Sequence, residues 1–269
     1  MKKYSRLLAL LVIGQMGYTA QSDVIKFVDP NLEQVVRNTL GIPKRQPITR
    51  ADMKRLTSLD AEFKDIRNLS GLEYAINLQW LNLWGNQIKD ISPLSNLSNL
   101  WLLWLSYNQI SDISPLVYLT NLQKLDLEDN QISDISPLAN LTDLQWLVLD
   151  HNQISDISPL ANLTNLQKLD LGRNQISDIS PLANLTNLQW LDLSNNQIKD
   201  ISPLANLTKL QVLWLGSNPI SDISPLVSNP GLGQGDEVDL ENNPLDLTPG
   251  SDDMKNIQIL QSRGVIVYY

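Results

Sequence analysis

A 22-residue period runs through most of the chain and constrains its fold more than any other feature. Each copy carries the segment Leu-x-Leu-x-x-Asn-x-Ile, which is followed in phase by Asp-Ile and then by a proline three residues after the Asp. A fixed period of this length is typical of solenoids, in which each copy is one structural unit stacked on the next. The asparagines that mark the seven copies are Asn86, Asn108, Asn130, Asn152, Asn174, Asn196 and Asn218.

Each position of the repeat has a structural interpretation. Leu78, Leu81 and Leu83 of the first copy are spaced as in a short strand that buries one face. One such strand cannot bury its apolar face alone, so the stacked copies are predicted to form a parallel sheet over one continuous core. The asparagine side chains are predicted to bond the backbone of adjacent turns as an interior ladder. Pro93 cannot donate to a sheet, and Ser-Pro-Leu predicts a short 3₁₀-like turn on the opposite, convex side.

These motifs resemble those of the internalins, a subclass of bacterial leucine-rich repeat proteins. The resemblance rests on Asn-Gln-Ile-Ser-Asp-Ile-Ser-Pro-Leu, which begins for example at Asn130, and extends over roughly residues 24–226. It implies an α/β-type solenoid, a right-handed superhelix with a parallel β-sheet on its concave face, short 3₁₀ turns on its convex face and a helical N-terminal cap. It also implies a secreted or surface protein that binds another protein, such as a receptor ectodomain.

The sequence divides into four predicted segments. They are a signal peptide (1–22), an N-terminal helical cap with a degenerate first repeat (23–75), seven repeats (76–226) and a C-terminal cap (227–269). Caps are required because an open solenoid exposes apolar core at both ends.

Helix-capping residues locate the helices of both predicted caps. Asp29 is an N-cap acceptor for a helix that ends at Gly41, and Thr49 with Asp52 forms a capping box for a second helix. Near the other end, Ser251 is predicted to cap a helix before a last strand at 265–269. The apolar residues expected to face the core from that helix are Ile257, Ile259 and Leu260.

Residues 1–22 have the pattern of a secretory signal. Lys2, Lys3 and Arg6 precede an apolar run over 7–13, and Ala20-Gln21-Ser22 offers small residues for cleavage. The run is too short to span a bilayer, so we expect an exported product with no membrane insertion after cleavage. The protein would be secreted or extracellular, with the periplasm as an alternative; a disordered cytosolic start is the competing interpretation.

Composition excludes several classes of function. The chain has 20 Lys+Arg and 29 Asp+Glu, a net charge of −9, and this disfavours nucleic acid as a partner because phosphate binding needs a basic face. It has no cysteine and one histidine, His151, which excludes thiol catalysis and histidine-rich metal cages. We therefore predict a protein that is not an enzyme, that carries no cofactor and no metal, and that is a monomer.

The predicted concave face collects all seven tryptophans of the chain. None occupies an inward leucine position, and exposed rings in a concavity are typical of interfaces. One lateral column alternates Trp146, Lys168 and Trp190, so cation–π stacking is the alternative explanation for the rings. The candidate ligand-binding residues are Trp80, Trp84, Trp101, Trp104, Tyr107, Glu128, Trp146, Asp150, Trp190 and Trp214.

Acidic residues share this face. Asp170 and Asp192 are predicted to lie side by side on neighbouring strands, where like charges oppose folding unless a cation intervenes. A basic partner surface is favoured over bound Ca²⁺, because no calcium-binding spacing is present. The sequence therefore predicts an exported protein that binds another protein through an aromatic and acidic surface, with polysaccharide recognition by the tryptophans as the alternative.

Overall fold

A computed structural model describes residues 23–269, so the predicted signal peptide lies outside the described residues. Ten three-residue strands form one parallel sheet in chain order, which confirms the predicted leucine-rich repeat solenoid. The strands are β1 Ser58–Asp60, β2 Trp80–Asn82, β3 Leu102–Trp104, β4 Lys124–Asp126, β5 Trp146–Val148, β6 Lys168–Asp170, β7 Trp190–Asp192, β8 Val212–Trp214, β9 Glu237–Asp239 and β10 Ile266–Tyr268.

Short 3₁₀ segments return the chain on the convex side, as the Ser-Pro-Leu motif predicts. In each repeat the aspartate two residues before the serine caps the turn; for example, the Ser92 amide donates to Asp90 Oδ1 at 2.8 Å. The last copy differs, because Ser224–Ser228 forms one turn of α-helix, here α3. The 3₁₀ segments are Leu72–Tyr74, Ser92–Leu94, Ser114–Tyr118, Ser136–Leu138, Ser158–Leu160, Ser180–Asn184 and Ser202–Asn206.

The repeat leucines and isoleucines form one continuous core along the solenoid. The central residue of a strand, such as Leu103 or Leu125, has no exposed surface, and the same holds for the convex-side leucines such as Leu116. Burying side chains of this size contributes about 1.5–3 kcal/mol each before conformational entropy is subtracted. Every coil therefore depends on its two neighbours for most of its stability.

The marker asparagines lie in the interior, and each bonds its own coil to the preceding one. Asn130 Nδ2 donates to the Leu105 and Leu127 carbonyls at 3.0 and 3.1 Å. Its Oδ1 accepts from the Ile110 amide at 3.0 Å. The pattern recurs in the other copies, and Asn243 extends it into the last coil. These bonds satisfy backbone groups that the tight turn leaves unpaired in the core.

A second row of asparagines, which the sequence analysis did not single out, lies just before the strands. Asn99 Nδ2 donates to the Ile76 carbonyl at 2.9 Å, and Asn121 donates to the Ser98 carbonyl at 2.8 Å. Unlike the interior ladder, this row is exposed. Asp143 occupies the equivalent position one coil later, where a carboxylate cannot donate.

The N-terminal cap is built from two helices, α1 Pro30–Leu40 and α2 Arg50–Met53. Asp29 is the N-cap of α1, and its second carboxylate oxygen accepts from the Arg67 amide at 2.7 Å, which ties the cap to the first coil. The Gly41 terminus and the Thr49 capping box are formed as expected.

At the other end, helix α4 Asp252–Ser262 and strand β10 cover the core. The expectation for its apolar face was wrong at one position. Ile257 and Leu260 are fully buried, but Ile259 points away from the core and is 39% exposed, because it lies two residues from Ile257 on the helix.

Candidate functional site

Strand register places the outward side chains of the concave face in straight columns. Lys124 pairs with Trp146, Trp146 with Lys168 and Lys168 with Trp190, so the predicted alternation of lysine and tryptophan exists. A second column contains Trp104 on β3, Asp192 on β7 and Trp214 on β8. Neighbouring strands of a sheet lie about 4.8 Å apart, so residues that are adjacent in a column can contact each other.

The aromatic rings at the N-terminal end pack edge to face. Trp80 and Trp104 have ring centroids 6.1 Å apart, and Trp84 and Tyr107 have centroids 5.8 Å apart. Sequence reasoning missed Phe63, whose ring lies 4.4 Å from that of Trp84. The sequence could have indicated this residue, because Phe63 lies 44 residues, or two periods, before Tyr107 and therefore occupies the same column.

Gly85 explains how Phe63 reaches Trp84. A β-carbon at residue 85 would overlap the Phe63 ring, so the glycine lets the ring cross the coil. Phe63, Gly85 and Tyr107 all have left-handed backbone, at φ 51°, 66° and 55°. This conformation recurs before each interior asparagine and turns the preceding side chain toward solvent at the end of the strand.

A pocket of about 370 Å³ opens beside these rings on the concave face. Its wall combines aromatic rings with carboxylates and draws on four successive coils. It brings together Trp84, Trp104, Tyr107 and Glu128 of the predicted set, and it adds polar residues that the prediction did not include. The full lining is Glu62, Asn82, Trp84, Trp104, Ser106, Tyr107, Asp126 and Glu128.

Two of the pocket's carboxylates, Asp126 and Glu128, are partly desolvated. Burial raises the pKa of Glu128 and that of Asp126, although hydrogen bonds oppose the rise in both. Tyr107 Oη donates to Glu128 Oε1 at 3.0 Å, and this bond raises the pKa of the Tyr107 phenol. Within residues 23–269, neither carboxylate forms a salt bridge with a lysine, arginine or histidine.

The middle of the concave face has a different arrangement, in which the chain supplies its own cations. Lys168 Nζ lies 4.6 Å from the Trp146 ring centroid and 4.1 Å from that of Trp190. Lys124 Nζ lies 5.2 Å from the Trp146 centroid. Trp190 also packs on Trp214 at 5.0 Å, a second aromatic pair that the sequence analysis did not anticipate.

Acidic side chains converge between the two aromatic groups. Asp170 pairs with Asp192 across adjacent strands, and Asp150 approaches them over Gly172. Burial, followed by the charge of Asp192, raises the pKa of Asp170 to about 7. Arg173 offsets part of this charge through a 3.4 Å contact with Asp150.

Trp101 and His151 lie apart from these clusters. Trp101 stands at the entry of β3, 38% exposed and outside the pocket. His151 Nδ1 lies 3.2 Å from Asp129 Oδ2 at the surface.

In the described part of the chain, no group of three His, Asp or Glu side chains is arranged to hold a metal ion. Nor does any helix among those residues have the length and apolar character to cross a membrane.

Comparison with known proteins identifies the family. The family model for leucine-rich repeats in two copies matches residues 102–140, 142–184 and 186–228, and the single leucine-rich repeat model matches 77–100. Internalin C2 from Listeria monocytogenes is 41% identical, with 82% of this chain and 94% of that chain covered and a TM-score of 0.73. The chain belongs to the leucine-rich repeat family, in its bacterial internalin-like group.

Other solved structures share the architecture. A leucine-rich repeat protein from Leptospira interrogans is 26% identical over 82% of this chain and 57% of that chain, with a TM-score of 0.74. The plant peptide hormone receptor RGFR1 in complex with RGF2 is 25% identical over 74% of this chain and 38% of that chain, with a TM-score of 0.58. Among curated protein sequences, none matches this chain. Solenoids of this kind are protein-interaction modules that bind through extended concave surfaces.

Proposed function

We propose that the chain is an exported binding protein that uses its concave aromatic and acidic surface to bind another protein. The observation that carries the proposal is the pocket of about 370 Å³ between Trp84, Trp104 and Tyr107. Trp104 is 37% exposed and Tyr107 is 44% exposed, so both present large apolar surface to solvent. Residues of these types dominate the energetics of interfaces when a partner removes them from water.

The scaffold favours tight binding because it is pre-organised. Interior asparagines bond each coil to its neighbours, and the strands keep a single register over the whole sheet. A surface held in this way loses little conformational entropy on association. The peptide complex of the plant receptor, whose fold is similar, supports a peptide or protein as the ligand.

The polysaccharide alternative is less favoured by the geometry. Sugar recognition favours evenly spaced open rings along a groove, but lysines lie over Trp146 and Trp190, and the N-terminal rings form a compact cluster. A catalytic role is disfavoured too, because the single histidine pairs with Asp129 at the surface and lies outside the pocket. Binding without chemistry is therefore the proposed activity.

Capture of partners on the immobilised protein tests the proposed role. Surface-protein and polysaccharide extracts are passed over wild type, Trp104→Ala and, as a control, Tyr118→Ala. Tyr118 is 72% exposed on a convex 3₁₀ segment. We expect a protein that is retained by wild type and Tyr118→Ala, with affinity for Trp104→Ala lower by at least about 2 kcal/mol.

Two results would contradict this expectation. Retention of a glycan in place of a protein would favour the polysaccharide alternative. Equal retention by wild type and Trp104→Ala would place the binding surface away from the pocket.

Export is the second part of the proposal, and it rests on the pattern of residues 1–22. The full chain is expressed in a bacterium, and the N-terminus of the protein outside the cytoplasm is sequenced. We expect Asp23 as its first residue. An unprocessed Met1 in the cytoplasmic fraction alone would refute export.

A further inference from the structure

We infer that the pocket between Trp84, Trp104 and Tyr107 takes an arginine side chain of the partner protein. The inference rests on the proposed function and specifies its chemistry. A guanidinium group is drawn to aromatic faces by cation–π attraction and to carboxylates by charge and hydrogen bonds. The pocket offers both kinds of group within one wall.

The described residues supply no cation to the aromatic part of the pocket wall. Elsewhere on the same face, Lys124 and Lys168 lie 4.1–5.2 Å from the ring centroids of Trp146 and Trp190. In residues 23–269, no lysine or arginine lies over the rings of Trp84, Trp104 or Tyr107 in this way. The N-terminal rings therefore remain available to a cation from outside.

The polar part of the wall is rich in acceptors and poor in free donors. Asn82 already donates to Asp60 Oδ1 at 2.9 Å and to Glu62 Oε2 at 3.3 Å. The Tyr107 hydroxyl is used on Glu128. The carboxylates of Glu62, Asp126 and Glu128 carry further lone pairs, and no described basic side chain forms a salt bridge with them.

This arrangement selects among ligands. An anion would meet three carboxylates, and a neutral group would leave their charge unpaired. A quaternary ammonium would fit the rings but cannot donate to the carboxylates. Arginine presents five donors on a planar cation that stacks on aromatic rings and bonds carboxylates bidentately, so it uses the whole wall.

The test uses two peptides that differ in charge and not in shape. Acetyl-Gly-Arg-Gly-amide and acetyl-Gly-citrulline-Gly-amide are titrated into the full-length protein, and the indole N–H signals are followed by NMR. We expect the arginine peptide to shift the Trp84 and Trp104 signals and to bind at least about tenfold more tightly than the citrulline peptide.

Carboxylate variants locate the site. We expect Glu128→Gln to weaken binding of the arginine peptide at least about fivefold, because a charged acceptor is lost. Glu241→Gln is the matched control, since Glu241 lies in the same column on the last coil and outside the pocket. Circular dichroism confirms that each variant is folded.

Each contrary outcome has a defined meaning. Equal binding of the two peptides, or an unchanged affinity in Glu128→Gln, would overturn the inference. Tighter binding of tetramethylammonium than of the arginine peptide would replace arginine with a quaternary ammonium ligand. Capture of a Trp104-dependent partner without arginine binding would overturn this inference and leave the proposed function standing. Binding of the arginine peptide without capture of any partner would support this inference and contradict the proposed function.

Discussion

At the scale of single residues, Asp170 has a strongly raised pKa. It is directly opposed to Asp192 in the sheet, and its pKa rises from its usual 3.8 to about 7 through burial and then through that neighbouring charge. A carboxyl group whose pKa is higher in the folded protein favours folding while it is protonated. Its stabilising effect is complete below its unfolded pKa and is lost as the pH rises through about 7.

We therefore expect the free energy of unfolding to fall as the pH rises from about 4 to about 7. Asp170→Asn removes the titrating group and keeps the oxygen that accepts from the Gly172 amide. It should raise the free energy of unfolding at pH 8 by about 2 kcal/mol and should have little effect at pH 4. Denaturant unfolding at both pH values measures the difference.

The control for this prediction is Asp134→Asn, which makes the same change of charge at an exposed convex position. If the two variants have the same pH dependence as each other, net charge is the cause and the Asp170–Asp192 pair is not.

At the scale of structural elements, the two asparagine rows differ in what they stabilise. The interior ladder holds buried backbone groups, whereas the second row holds exposed carbonyls. Loss of a partner costs far more when the remaining group is buried. The two rows therefore allow the same substitution to be compared at different depths in one repeat.

Asn130→Ala leaves the Ile110 amide and the Leu105 and Leu127 carbonyls without their side-chain partner. We expect it to lower the free energy of unfolding by about 3 kcal/mol or more, whereas Asn121→Ala should cost about 1 kcal/mol. Guanidinium unfolding measures both. Equal losses would show that burial does not control the ladder's contribution.

Asp143 interrupts the second row, and this leads to a stabilising substitution. Asp143→Asn would let the side chain donate to the backbone of the preceding coil, as Asn121 and Asn165 do. We expect a gain of about 1 kcal/mol in the free energy of unfolding. A thermal scan of the variant beside wild type measures it, and a lower melting temperature would contradict the prediction.

At the scale of the whole molecule, stability comes from contacts between neighbouring coils and from the two caps that cover the ends of the core. Asp29 links the first cap to the solenoid, because one oxygen caps α1 and the other accepts from the Arg67 amide. In such an array, a weakened end unfolds first and the coils beside it lose protection in sequence.

Asp29→Ala is therefore expected to lower the free energy of unfolding by about 2–3 kcal/mol, since the residue is buried and serves two partners. Hydrogen exchange of backbone amides should become faster in residues 30–70, and this increase should become smaller toward the C-terminal coils. Ser251→Ala, which removes the N-cap bond of α4 and the bond from the Ser251 hydroxyl to the Asp246 carbonyl, is the comparison and should act at the opposite end. Uniform exchange along the chain would refute the nearest-neighbour description.

The sequence by itself determined the solenoid. A strict period with leucine, asparagine and proline at fixed positions dictates strand, turn and convex segment in each coil, because each choice is local and the stacking then follows from burial. It also predicted the Lys168–Trp146 column, since parallel strands in register place equivalent repeat positions side by side.

Only the tertiary structure decided which side chains form the candidate site. Phe63 comes from the degenerate first coil and reaches Trp84 because Gly85 leaves room for its ring. Glu128 accepts a hydrogen bond from Tyr107 on the previous coil, and Asp126 joins the same pocket. Such contacts depend on side-chain conformation and on the space that neighbours leave, which a repeat period does not encode. The repeat period determines which residues share a column, and side-chain packing between coils determines where a pocket forms.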